Sequence, residues 1–407
     1  MNKKEGNYMR VLYAMVLFGC IGLMTSCGTS SNLRTETTQW PLHIIDSSLW
    51  GADGIRVGDF NGDEYADYIS GGEEKGLTKV YLGRGGDGFN ELTFESADVE
   101  DAIFFDGNGD GRSEVMTLCE GRNEAMYWHF LDSNDVWVNR EINAARGKKW
   151  MYSATANFLP NGSHQLVVGG KGDNAIVGWM DIGLDYEKSS EWPIHFIDSV
   201  GWIMSIEVLD IDGDGDEDVV VSDRKGNDSG VKWYENPGSD KIYGDWEVHD
   251  IGLMGQEVMF LTVLDFDNDD VVDVVAADIE SGVYLLTRTE DIGGLWEESL
   301  LFAYPEGVGE RGKSVAVTDI NGDGQKEVFT SYEMAEDLAG IVCSSYDKVA
   351  KTWVHDDIGG SLGIKYDKIL LHDVDGDGDL DLMTTEERSL ENGLGVIWYE
   401  NPGVDSM

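Results

Sequence analysis

The chain has 407 residues, and its 78 acidic side chains against 29 Lys and Arg give a formal charge of −49. That balance argues against nucleic acid or an anionic membrane surface as a partner, since both would repel it. Length alone allows two or three domains, so the division has to come from the pattern along the chain.

The first 39 residues stand apart from the rest. Lys3, Lys4 and Arg10 precede an apolar run at 11–24, and Thr25, Ser26 and Cys27 follow it. A basic start, an apolar stretch short for a bilayer and small residues before a cleavage point make a secretory signal over 1–26. Leu23-Met24-Thr25-Ser26-Cys27 resembles the lipobox of bacterial lipoproteins, with Met24 a loose fit. The resemblance implies that Cys27 is the lipidated first residue of the mature chain, held at the bilayer by its lipid alone. The protein would then be anchored in the bacterial cell envelope, at the outer membrane and facing the periplasm or the surface. An ordinary cleaved signal with an incidental cysteine, or an uncleaved anchor, is the alternative. Residues 27–39 are polar and read as a flexible tether.

Beyond residue 40 one loop recurs. In its fullest form it is DIDGDGDED at 210–218, with carboxylates at positions 1, 3, 5 and 9. Its first residue, or the equivalent, falls at Asp59, Asp106, Asn157, Asp210, Asp265, Asp319 and Asp373, in steps of 47, 51, 53, 55, 54 and 54. A period of this size signals an array of equal structural units. Carboxylates so spaced can converge on one hard cation, and Ca²⁺ takes about six to eight oxygens. The flanks, SIEVL before and VVVS after, are β-branched and apolar, so they read as strands. This separates the loop from the helix-flanked EF-hand, which closes on a Glu at its twelfth position.

Six loops carry the ligand set. They are Asp59, Asn61, Asp63 and Asp67; Asp106, Asn108, Asp110 and Glu114; Asp210, Asp212, Asp214 and Asp218; Asp265, Asp267, Asp269 and Asp273; Asp319, Asn321, Asp323 and Glu327; and Asp373, Asp375, Asp377 and Asp381. About six structural Ca²⁺ follow, each tying two strands. The third loop, NFLPNGSHQ at 157–165, keeps the spacing without a carboxylate. It is expected to be metal-free or held by its own hydrogen bonds.

Each unit contains four strand-like pieces, A to D. In the fourth unit they are 203–210, 217–223, 230–236 and 246–252. The last unit ends after its C piece, GVIWYENPG at 395–403, and the missing D piece stands at the other end as WPLHIID at 40–46. The expected fold is therefore all-β: a seven-bladed β-propeller with four-stranded blades over 40–403. Its ring is closed by the N-terminal strand joining the last blade, which removes open sheet edges. Cys119 and Cys343 fall in units that are not neighbours in such a ring, and read as buried hydrophobes.

Strand-flanked DxDxDGxxD loops at a step near fifty, with WYENPG endings, resemble the FG-GAP/VCBS repeats of integrin α-chain propellers and bacterial surface proteins. The resemblance spans 40–403. It implies a calcium-binding propeller and leaves activity open, since adhesins, lectins and some polysaccharide lyases share the fold.

For a ligand site, the periodic residues are set aside first. Ten of the thirteen Trp recur in C or D strands and read as packing. Trp50, Trp150 and Trp202 remain, each in a loop from D into A. Cations gather in the same D–A and B–C connections, opposite the metal loops: Arg122, Lys171, Arg224, Arg311, Lys365 and Arg388 among them. These residues, with Tyr366, are the expected ligand-binding set, a Trp-rimmed cationic funnel for a glycan, in the first place an acidic polysaccharide. No His-based triad or zinc motif stands out, and the seven His are taken up by the repeat. A binding or adhesive role is favoured over catalysis. The alternatives are a lyase or hydrolase on an acidic glycan, with Tyr366, Lys365 and Arg311 as its trio, and a monomeric scaffold for envelope proteins.

Overall fold

The computed structural model describes residues 33–35, 38–85, 88–107, 111–132, 134, 136–160, 163–182, 186–288, 295–388 and 393–403. Met1–Ser30 is a separate unit outside them, Cys27 and the signal included, and Ser31–Met407 carries the fold. Among the described residues, no helix is long and apolar enough to cross a membrane.

Two strands precede the first blade, β1 (Leu33–Arg34) and β2 (Leu42–Asp46). Blade 1 is β3 (Ala52–Gly58), β4 (Asp67–Gly72), β5 (Leu77–Gly83) and β6 (Phe89–Glu95). Blade 2 is β7 (Val99–Phe105), β8 (Glu114–Cys119), β9 (Ala125–Leu131) and β10 (Trp137–Glu141). Blade 3 is β11 (Lys149–Ala156), β12 (His164–Lys171), β13 (Ile176–Ile182) and β14 (Ile194–Ser199). Blade 4 is β15 (Ile203–Leu209), β16 (Asp218–Asp223), β17 (Gly230–Glu235) and β18 (Glu247–Gly252). Blade 5 is β19 (Val258–Leu264), β20 (Asp273–Asp278), β21 (Gly282–Arg288) and β22 (Trp296–Ala303). Blade 6 is β23 (Arg311–Thr318), β24 (Glu327–Glu333), β25 (Ile341–Asp347) and β26 (Thr352–Asp357). Blade 7 is β27 (Leu370–His372), β28 (Asp381–Glu386) and β29 (Gly395–Tyr399), completed by β2.

The seven sheets, antiparallel within each blade, are the expected seven blades. Five of the seven B strands are buried along their whole length, DVVVSD and DVVAAD among them, and β12 and β24 are half-buried only at their ends, because both faces of a blade are covered by its neighbours. Outer D strands mix buried and exposed positions, as in EVHDIG of β18. From blade 1 to blade 6, strand A of one blade packs on strand A of the next, and β28 of blade 7 packs on β3, so the inner strands surround the axis.

Closure is non-covalent. β2 pairs antiparallel with β29 in the register Leu42↔Tyr399, His43↔Trp398, Ile44↔Ile397 and Asp46↔Val396. The periodic Trp in the C strands pack between blades, with Trp128 and Trp179 fully buried and Trp233 2% exposed. His43, His195 and His249 lie directly across from Trp398, Trp179 and Trp233, with ring centroids 4.2–4.3 Å apart. Cys119 and Cys343 are free and buried.

One expectation is corrected. The segment read as a flexible tether contains β1, which adds to blade 6 in parallel with β26. Arg34 pairs with Asp356, Leu33 packs beside Val308 and Tyr332, and Thr38 donates to the Asp357 carbonyl. A polar composition hid this, because an added strand is held mainly by backbone hydrogen bonds and one ion pair.

Candidate functional site

The A–B loops are built by their own carboxylates. In blade 4, Asp210 accepts from the backbone N–H groups of Gly213 at 2.7 Å, Asp214 at 3.1 Å and Gly215 at 3.0 Å. Asp218 accepts from Ile211 and Asn236, pinning the loop's base to strand C. The ninth-position acid accepts from the second-position N–H in every acidic loop: Phe60, Gly107, Ile211, Phe266, Ile320 and Val374 donate. The sixth position is left-handed throughout. It is Gly in four loops, and Glu64 and Asp270 take φ of 71° and 67° in blades 1 and 5.

Oxygens of Asp210, Asp212 and Asp218 lie within 4.8 Å of one another, as do those of Asp265, Asp267 and Asp269. Burial, then neighbouring carboxylates, push Asp218 and Glu327 up to about 7, and Asp273 and Asp381 up to about 6, against the pull of the backbone N–H groups. Asp216 and Asp379, at the seventh position, each bury one oxygen with no hydrogen-bond partner. Oxygen-only donors, uncompensated charge and orphaned oxygens together fit a hard cation such as Ca²⁺. Asn108 and Asp110 of the blade 2 loop lie outside the described residues.

Blade 3 substitutes an amide. The Gln165 carbonyl oxygen accepts from Phe158 and Leu159, and its NH₂ donates to the Ser163 carbonyl and hydroxyl. A Gln can do both jobs without charge. Glu217 from the blade 4 loop accepts from the Asn157 backbone at 2.6 Å.

The second feature is a cavity of about 370 Å³ on the axis at the opposite face, lined from all seven blades. Among the expected residues it gathers Lys171, Trp202, Arg224, Arg311 and Lys365. The others are elsewhere. Trp150 is fully buried and donates its indole N–H to the Ala145 carbonyl. Tyr366 is fully buried against Tyr399, and its hydroxyl accepts from the Gly363 N–H. Neither can meet a ligand, which removes the nominated catalytic trio. Trp50 is half-buried beneath Lys75, 3.6 Å from its ring centroid, and off the cavity. Arg122 is exposed, and Arg388 faces Glu386 at 3.6 Å; neither lines the cavity.

The expected cationic funnel is also corrected, because the cations meet acids that residue type alone did not flag. Asp53, Glu73, Glu100, Asp101, Glu120, Glu333, Asp367 and Glu387 line the same space. Arg56 makes two hydrogen bonds of 3.0 Å to Asp101, and its guanidinium lies 4.1 Å from the Tyr152 ring centroid. Lys171 bridges Glu100 and Glu120. Lys313 sits among Glu333 at 2.8 Å, Glu387 at 3.1 Å and Asp367 at 3.3 Å, and Lys365 also pairs with Glu387.

These pairings set protonation. Burial opposes charge on Lys313, but Asp367 and Glu333 outweigh it and keep the amine charged far above its ordinary range. Burial would raise Glu333 and Asp367 too, yet Lys313 holds both low. Asp53 goes the other way: burial, then the Glu100 and Asp367 carboxylates, push it well up. Trp202 closes the mouth, with Lys171, Arg224 and Lys225 at 4.4, 4.6 and 5.2 Å from its ring. A second hollow of about 760 Å³ lies between the loops of blades 7 and 1, without a comparable convergence of buried charge.

Comparison with known families agrees with this architecture. The model of the FG-GAP-like repeat matches residues 210–276 and 265–330, which run from the blade 4 loop after β15 into strand β24 of blade 6. No curated protein matches the chain. Propellers of this kind serve in binding and interaction. The chain is thus a seven-bladed propeller that carries FG-GAP-like repeats and fits the integrin-α-like arrangement of them.

Proposed function

We propose that the protein is a calcium-braced binding propeller that receives a glycan in its axial cavity. The observation that carries this is the cavity itself: enclosed by seven blades, mouthed by Trp202, walled by Tyr152 and Phe260, and fitted with converging donors and acceptors. Sugar rings need a flat apolar surface and dense hydrogen bonding at once, and this lining offers both. Asp210, Asp212, Asp214 and Asp218, with their equivalents in the other acidic loops, would hold Ca²⁺ and screen the charge on that face. Lipidation at Cys27 would fix the protein at the bacterial envelope, where an adhesive role or a protein partner on the same face is the coarser form of the same reading.

The test is calorimetry of the calcium-loaded protein with neutral, acidic and amino-sugar oligosaccharides. Binding that weakens about tenfold or more in Trp202→Ala supports the reading. No binding in the panel, or binding indifferent to Trp202, refutes it. A lyase reading keeps one foothold, since the Tyr152 hydroxyl accepts from Lys368 beside Arg56. Ultraviolet absorbance of unsaturated uronate would reveal that activity in the same samples.

A further inference from the structure

The cavity lining is not uniform around the ring. The residue six places before each loop's first position is Asp53, Glu100, Met151, Met204, Met259, Lys313 and Asp367 in blades 1 to 7. Blades 7, 1 and 2 therefore present carboxyls where blades 3 and 4 present Met151 and Met204, and Phe260 joins that apolar wall from blade 5. The carboxylate side carries more acid than its own cations balance. Lys313 and Lys365 serve Glu333, Asp367 and Glu387, and Lys171 serves Glu100 and Glu120. Glu73 lines the cavity with no side-chain hydrogen bond or ion pair among the described residues. Oxygens of Asp53, Glu73 and Glu100 lie within 4.8 Å of one another. Asp367 is 2% exposed, and its Oδ1 accepts no hydrogen bond among the described residues, with Lys313 at 3.3 Å.

A carboxylate wall facing thioether and aromatic groups across a small cavity is suited to an organic cation. The charged end meets Asp53, Glu73 and Glu100, while the carbon body lies against Met151, Met204 and Trp202, whose ring face also favours positive charge. A uronate would put its carboxylate against an acidic wall whose cations are already engaged, and would lose their desolvation without gaining a free partner. Arg311, exposed at the mouth, has no ion-pair partner among the described residues and could meet an anionic substituent further out.

We infer that the axial cavity takes a ligand bearing an ammonium group, and specifically an amino-sugar unit of a glycan. The inference rests on the glycan reading above and narrows its chemistry. The ammonium group donates to the carboxylates of Glu73 and Glu100 and to the Asp53–Asp367 pair. Glu73 is the discriminating contact, because among the described residues it makes no side-chain hydrogen bond or ion pair.

The experiment is calorimetry at physiological ionic strength on calcium-loaded protein, with three probes: a glucosamine tetrasaccharide, its fully N-acetylated form and a galacturonate tetrasaccharide. The expected result is tightest binding of the amine, with the N-acetylated form about tenfold weaker or worse. Glu73→Gln should abolish that preference, so that the amine and the N-acetylated probe bind alike. Equal binding of all three probes, or preference for the galacturonate, overturns the ammonium site while the glycan reading stands. If none binds, the glycan reading itself falls. Amine binding untouched by both Glu73→Gln and Trp202→Ala would lie on the acidic outer surface and would overturn the inference too.

Discussion

Ring closure depends on a short strand, and Asp46 at its end gives the sharpest test of how that strand is held. Its Oδ2 accepts from Lys79 of blade 1 at 2.5 Å and from the Tyr81 hydroxyl at 3.0 Å, and its Oδ1 accepts from the Ser48 N–H at 2.7 Å. The side chains of Lys79 and Asp46 are 11% and 7% exposed, so Asp46→Ala leaves a buried ammonium with the half-exposed Glu91 at 3.1 Å and the neutral Ser48 hydroxyl at 3.2 Å. Breaking a buried pair from one side costs about 3–5 kcal/mol. With an unfolding entropy of about 2.1 cal/mol/K per residue over roughly 360 residues, that lowers Tm by about 4–7 °C. Asp46→Ala/Lys79→Met removes both charges and should recover most of the loss. The pH dependence has a definite sign. Burial would raise Asp46, but Lys79 and Ser48 outweigh it and hold it low, so its contribution is present above about pH 4 and fades as pH falls through the depressed folded value. Burial would lower Lys79, but Asp46 and Glu91 raise it, so its contribution is full below about pH 10 and fades only as pH climbs through the raised value. Thermal and urea unfolding at fixed calcium would measure this. A single variant within about 0.5 kcal/mol of wild type, or a double variant worse than the single, would refute the lock.

Gln165→Glu should destabilise blade 3 by about 2–3 kcal/mol, because a buried carboxylate faces the Ser163 carbonyl that the amide now satisfies. Urea unfolding with and without calcium checks it, and recovery by calcium would mean that blade 3 can hold metal after all. Burial pushes the Cys119 thiol up to about 12, so neither it nor the buried Cys343 should react with a thiol reagent at neutral pH until the protein is denatured. Labelling of the native protein at Cys119, read by mass spectrometry, would contradict that packing.

The architecture was open to reading because the repeat restates it seven times. Strand count, the donated D strand and the loop in blade 3 that must hold itself without carboxylates all follow from spacing. β1 did not, since nothing in Leu33–Arg34 marks it as a strand and its partner lies some 320 residues away.

Residue type alone does not define the ligand face; position within the repeat decides it. Trp202, Arg311 and Lys365 each stand eight places before their loop's first residue, and all three line the cavity. Trp150 and Tyr366 stand seven places before, and both are fully buried. In a strand, a shift of one residue turns the side chain to the other face. Trp50, at nine places, falls outside both columns. Likewise the residue fourteen places after the first position is Glu73, Glu120, Lys171, Arg224, Glu333 or Glu387 in every blade but the fifth, and all six line the cavity. That column holds two cations and four acids, while Arg122 and Arg388 lie two places and one place beyond it. What the sequence could not disclose is the irregularity that follows. In blades 1 to 6 the pairing of strands A and B slips near the cavity, as between Trp150 and Tyr152 or between Ile203 and Ser205. Such a bulge breaks strict alternation and re-aims successive side chains. It lets Met151 and Tyr152, or Glu100 and Asp101, both face the axis. Without it, one acid of Glu100 and Asp101, and one of Met151 and Tyr152, would point into the blades.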